Sequence, residues 1–125
     1  MHLEIIDRIS KDHKIKTTQI VQGDDYCISN GIDTYINQSW CCNDEIWLGI
    51  FDDEECHFLS FFHEMGHILD KSPWHLDAKA TKYDQEKAAW DIGYKLAHKY
   101  NIKFSRKAIN WGLKQLKTYE DNYTR

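Results

Sequence analysis

His63 and His67 stand four residues apart, with Glu64 directly after the first, inside the longest apolar-periodic run of the chain, roughly Asp53 to Asp70. An α-helix turns about 100° per residue, so positions i and i+4 differ by about 40° and lie one turn apart. Both imidazoles therefore point the same way and can offer two nitrogens to a single metal ion. Glu64 lies about 100° round from His63, able to reach a water on that metal without ligating it. His-Glu-x-x-His on a helix thus combines two zinc ligands with a carboxylate general base, the equipment of metal-assisted hydrolysis. With His occurring 7 times in 125 residues, random placement yields the pattern with a chance of about 0.02. The competing reading is a solvated helix face. Phe58, Phe61, Phe62, Met65, Ile68 and Leu69 speak against it, because they cover most of the remaining surface of the helix. Buried histidines without partners would be costly to desolvate.

The totals narrow the class. A chain of 125 residues with 42% hydrophobic and 14% aromatic content has enough apolar matter for one domain with a packed core. Its formal charge is -4 and it contains no run of Lys or Arg, which argues against a nucleic-acid footprint. No apolar stretch approaches the length of a membrane span, and Met1-His2-Leu3-Glu4 has no signal-peptide design. A soluble, cytoplasmic protein is expected. Cys27, Cys41, Cys42 and Cys56 form no CxxC pair, and adjacent cysteines bridge only with strain, so reduced thiols are expected. Cys56 falls on the helix face of His63, where it could support a metal ligand from behind, though a burial role is the simpler one.

Read in order, the residues suggest an α+β fold. Leu3, Ile6 and Ile9 recur every three positions, predicting a short helix that ends near Lys14. Residues 15–22 are rich in β-branched side chains and read as a strand, closed by a turn at Gly23-Asp24-Asp25. Tyr26 to Ser29 and Ile32 to Ile36 follow as two strands around Asn30-Gly31. Asn37 to Asp44 reads as a polar loop, and Glu45 to Phe51 as the clearest strand. This predicts a small antiparallel sheet of three or four strands packed on the His63–His67 helix, with Asp52 or Asp53 as its N-cap. Pro73 lies in the loop after that helix. A second long helix is expected over Ala78 to Lys99 and a last one, capped by Ser105, over 106–119. The last helix would bury Ala108, Ile109, Gly112, Leu116 and Tyr119 on one face. The tail from Asp121 is polar and expected to fray.

A catalytic zinc site takes three protein ligands and keeps a fourth position for water. The downstream His of metzincins would fall on Pro73, which excludes that class. Asp70, His75, Asp77, Asp84, Glu86 and Asp91 remain as candidates. Helical phase separates them: Trp90, Gly93, Ala97 and Tyr100 fall within about 40° of Glu86, whereas Asp84 and Asp91 lie about 160° and 140° away. Glu86 therefore occupies the middle of an apolar stripe, where a carboxylate needs a compensating charge. A zinc ion supplies one; pairing with a lysine is the alternative. Asp70 shares the histidine face but sits a turn too far along, in a position to orient an imidazole from behind. His75, in the neighbouring loop, could steady an oxyanion, ligate if Glu86 does not, or simply be exposed. His2, His13, His57 and His98 read as surface residues.

With His63, Glu64 and His67 followed 19 residues later by Glu86, the chain resembles the gluzincin zinc peptidases, and most of all the small ImmA/IrrE-type metallopeptidases of phages and mobile elements. The similarity spans roughly Ile32 to Leu96: a strand running into His-Glu-x-Met-Gly-His-x-Leu, then Glu86-Lys87-Ala88-Ala89-Trp90 opening a second helix. It implies a zinc-dependent peptidase with His63, His67 and Glu86 on the metal and Glu64 as general base, cleaving a specific intracellular protein. It further implies that a peptide substrate lies along strand 45–51 by β-augmentation. One departure is that no helix-turn-helix DNA-binding segment accompanies the motif, so repressor cleavage is only one of the roles open. The alternative is a catalytically silent, zinc-stabilised interaction module, such as a phage-encoded inhibitor of a host factor. Such a module would need both histidines and the buried glutamate but not Glu64.

Overall fold

Asp53 opens the central helix as the aspartate-before-apolar-run pattern leads one to expect. Its carboxylate accepts from the backbone N–H groups of Glu55 and Cys56 at 2.9 and 3.0 Å, satisfying two of the donors a helix start leaves orphaned. The computed structural model describes residues 2–21 and 35–123. Its elements are α1 (His2–Asp12), β1 (Lys16–Gln19), β2 (Trp40–Cys42), β3 (Glu45–Leu48), α2 (Glu54–Leu69), a single 3₁₀ turn (Trp74–Leu76), α3 (Lys82–Lys99) and α4 (Arg106–Tyr123). The fold is α+β: four helices and a three-stranded mixed sheet among the described residues. No helix among them is long and apolar enough to cross a membrane.

The sheet corrects two expectations. Strand order is β1-β3-β2, with β1 parallel to β3 (Lys16 opposite Glu45, Gln19 opposite Leu48) and β2 antiparallel to it (Trp40 opposite Trp47, Cys42 opposite Glu45). The all-antiparallel arrangement is thus replaced by a mixed one. The stretch read as a polar loop supplies β2, a strand of three residues. It is too short to show alternation, and Asn43 turns it back into β3 at φ 54°, a left-handed conformation that Asn tolerates. β3 is consequently the central strand, and Ile50 beyond it exchanges backbone hydrogen bonds with Tyr35 and Asn37. The described strand within 45–51 is therefore flanked on both sides, and β1 and β2 are the outer strands among the described residues. The strands expected at 26–29 and 32–34, the turns at 23–25 and 30–31, and Cys27 lie outside the described residues.

Aromatic and aliphatic side chains from α2 form the core. Phe58, Phe61, Phe62 and Met65 meet Ile6 and Ile9 of α1, Ile46 and Leu48 of β3, and Leu96 of α3. On the other flank Leu59 packs with Trp90 and Ala108, joining α2 to α3 and α4. Thr81, not Ala78, begins α3 in a capping box with Asp84. Its end follows from Asn101 at φ 60°: Asn101 and Ile102 donate to the carbonyls of His98 and Ala97, closing a Schellman motif. Two glycines let α2 and α3 touch. A Cβ on Gly66 would lie 1.9 Å from the Ala89 carbonyl oxygen, and one on Gly93 would lie 2.4 Å from that of Phe62. This contact of backbones aligns the histidine face of α2 with the glutamate face of α3.

Candidate metal centre

Because α2 and α3 approach so closely, Glu86 is only 2% exposed yet meets both histidines. His63 Nε2 lies 3.0 Å from Glu86 Oε1, and His67 Nε2 lies 3.0 Å from Glu86 Oε2. One ligand atom from each residue falls within 4.8 Å of the others, so the trio could hold a metal ion. Two imidazoles and one carboxylate are donors that several divalent transition metals accept. Lys82, one turn before Glu86, also approaches it, with Nζ at 3.5 Å and a half-exposed side chain. The lysine partner weighed from the sequence is therefore present, but it stands farther from the carboxylate than either imidazole.

Electrostatics separates the two carboxylates. Burial pushes Glu64 up to about 7, with the charge of Glu86 adding to it. Burial would raise Glu86 as well, but hydrogen bonds from His63 and His67 outweigh it and hold the carboxyl far below the usual range. Burial likewise lowers His63. In His67 burial is overcome by the hydrogen bond and charge of Glu86, so that ring is raised. Glu64 is 6% exposed and its Oε2 stands 3.5 Å from Nδ1 of His63. It is thus beside the cluster without joining it.

The sequence did not reveal what surrounds these residues. The indole of Trp90 stacks on His63 with ring centroids 4.2 Å apart and planes 10° from parallel, which restrains the imidazole ring. Cys41 of β2 sits beside Glu64, and burial, aided by that carboxylate, pushes its thiol up to about 12. Its side chain lines the same cleft as Glu64. A cleft of about 520 Å³ opens over the cluster between β2 and α4, walled by Trp40, Cys41, Trp111, Gln115 and Tyr119. The phenol of Tyr119 is raised by burial and by the charges of Glu86 and Glu64. Spacing reveals neither Cys41 nor Tyr119, since each arrives from an element remote in sequence; Trp90 was visible only as part of the apolar stripe.

Two expected participants stand elsewhere. Asp70 accepts from the Trp74 indole N–H at 2.7 Å and the Ser72 backbone N–H at 3.0 Å. It pins the loop after α2 and makes no hydrogen bond to an imidazole, because that loop folds back within reach of its short side chain. His75 is exposed on the 3₁₀ turn and lines no part of the cleft. Cys56 is buried toward the N-terminal end of α2. His2 and His57, expected at the surface, are half-buried and face each other with ring nitrogens 3.1 Å apart. Family models, curated proteins and solved structures gave no match to the chain.

Proposed function

We propose that the protein is a zinc-dependent hydrolase of the gluzincin kind, similar to the ImmA/IrrE-type peptidases, and that it cleaves a polypeptide. The observation that carries this reading is the convergence of both Nε2 atoms on a buried Glu86, with Glu64 buried beside them outside the ligand set. Zinc held by His63, His67 and Glu86 would supply Lewis acidity, polarising a carbonyl and acidifying water. Glu64, buried beside the ligands, would take a proton at its carboxylate and return it to the leaving group. Trp90 holds the His63 ring in place, and Cys41 lines the cleft beside Glu64. β2, the sheet edge bordering the cleft, is the strand along which an extended chain would lie. An interaction module that needed zinc only for stability would have no use for Glu64, so the buried base favours the enzyme.

Elemental analysis of protein purified without added metal tests the site. About one zinc per chain is expected in the wild type, with His63→Ala and Glu86→Ala weakened by well over tenfold in affinity. A wild type that takes up no zinc even after soaking would overturn the proposal. Hydrolysis of an unfolded protein substrate then tests the chemistry.

A further inference from the structure

Beside the cleft, α4 carries a second feature. Taking Arg106 as zero, Lys117, Asn110, Lys114 and Lys107 fall at about 20°, 40°, 80° and 100° round the helix. Thr118, Trp111, Gln115 and Tyr119, all on the cleft, continue the sweep from about 120° to 220°. Ala108 and Gly112, at about 200° and 240°, are buried. The cationic arc therefore adjoins the cleft-lining arc along the helix, over about 16 Å from Arg106 to Lys117. Between Asp91 and Glu120 the chain has no acidic residue at all, although its formal charge is -4; the whole-chain balance conceals a one-sided distribution.

A groove of about 760 Å³, lined by Arg106, Lys107, Asn110 and Lys114 on one side and Asp52 and Asp53 on the other, meets the cleft at Asn37 and Trp111. Lys107 is neutralised by Asp53 at 2.8 Å. Arg106 and Lys114 are exposed and make no ion pair among the described residues. Asp52 on the facing wall repels a continuous polyanion, but an extended polypeptide can aim separate carboxylates at α4 alone. We propose that this groove continues the substrate site and docks an acidic segment of the polypeptide, with Arg106 and Lys114 reading its Asp and Glu side chains. The inference rests on the hydrolase reading and gives its substrate a chemical class.

Fluorescence anisotropy tests it on full-length Glu64→Gln protein, which leaves the probe intact. The probes are a labelled peptide alternating Glu with Gly and Ser, its Lys counterpart, and a short DNA duplex. The acidic peptide is expected to bind, to weaken as salt rises, and to bind about tenfold more weakly once Arg106→Glu and Lys114→Glu are added. Zinc content should not change with those two reversals. Equal binding of the Lys peptide, indifference to the double reversal, or tighter binding of the duplex would each overturn the inference. Wild type lacking zinc or hydrolysis defeats the hydrolase reading on a separate readout. Loss of the peptide contrast with zinc and hydrolysis intact defeats only the docking inference.

Discussion

Glu64 and Glu86 flank the same histidines, yet their surroundings drive them apart, and that divergence sets what each substitution should do. On the proposed hydrolase reading, Glu64→Gln preserves shape and removes only the proton acceptor. Its zinc content should match the wild type while turnover falls by about 10² to 10⁴, as read by hydrolysis of an unfolded protein. Trp90→Ala should act differently: it removes a stacked ring 4.2 Å from His63 and opens a core cavity. About 3 kcal/mol of stability should go with it, and zinc affinity should fall although no ligand is touched. Thermal unfolding and metal competition would measure the two effects. His63, Glu64 and His67 were legible because helical period alone determines their relation. Glu86 was legible one step further, from its place in an apolar stripe. The thiol of Cys41 and the phenol of Tyr119 were not, because their nearness to Glu64 depends on how separate elements dock.

At the scale of elements, the contact of α2 with α3 is the sensitive joint. Gly66→Ala would place a methyl 1.9 Å from the Ala89 carbonyl oxygen, which only a parting of the helices can relieve. A loss of about 1–3 kcal/mol should coincide with weaker zinc binding, seen by denaturant unfolding and metal titration of one sample. Asp53 gives a pH-dependent counterpart. The Lys107 ammonium and the N–H groups of the α2 start hold its carboxyl below the usual 3.8, so its contribution is full above that value. It is lost as pH falls through the lower folded value. Against Asp53→Ala, the wild type should keep a constant advantage of about 1 kcal/mol near neutrality that shrinks in acid. Helix caps were readable from single residues such as Asp53, Ser105 and Asn101. Thr81 was overlooked because Ala78 and Ala80 extend the helical pattern past the true start, and β2 because three residues carry no period.

Across the whole molecule, composition described the protein only on average. The formal charge of -4 weighed against a broad polyanion footprint and hid the cationic arc of α4, which appears only when residues are placed on a helix. The α+β class followed from local patterns. The pairing of β1 did not, since a parallel partner is chosen by the path of the chain between the strands. That pairing has a further consequence for how the chain folds and fails. β2 and β3 close over a turn of Asn43 and Asp44, whereas Lys16 must find Glu45 across the sequence between them, a far costlier loop closure. The hairpin can therefore form early and β1 late. An opening that releases β1 with α1 would bare the backbone edge of Ile46 and Leu48 while α2 and α3 remain clasped, and another copy's β1 could fill the vacancy by domain exchange.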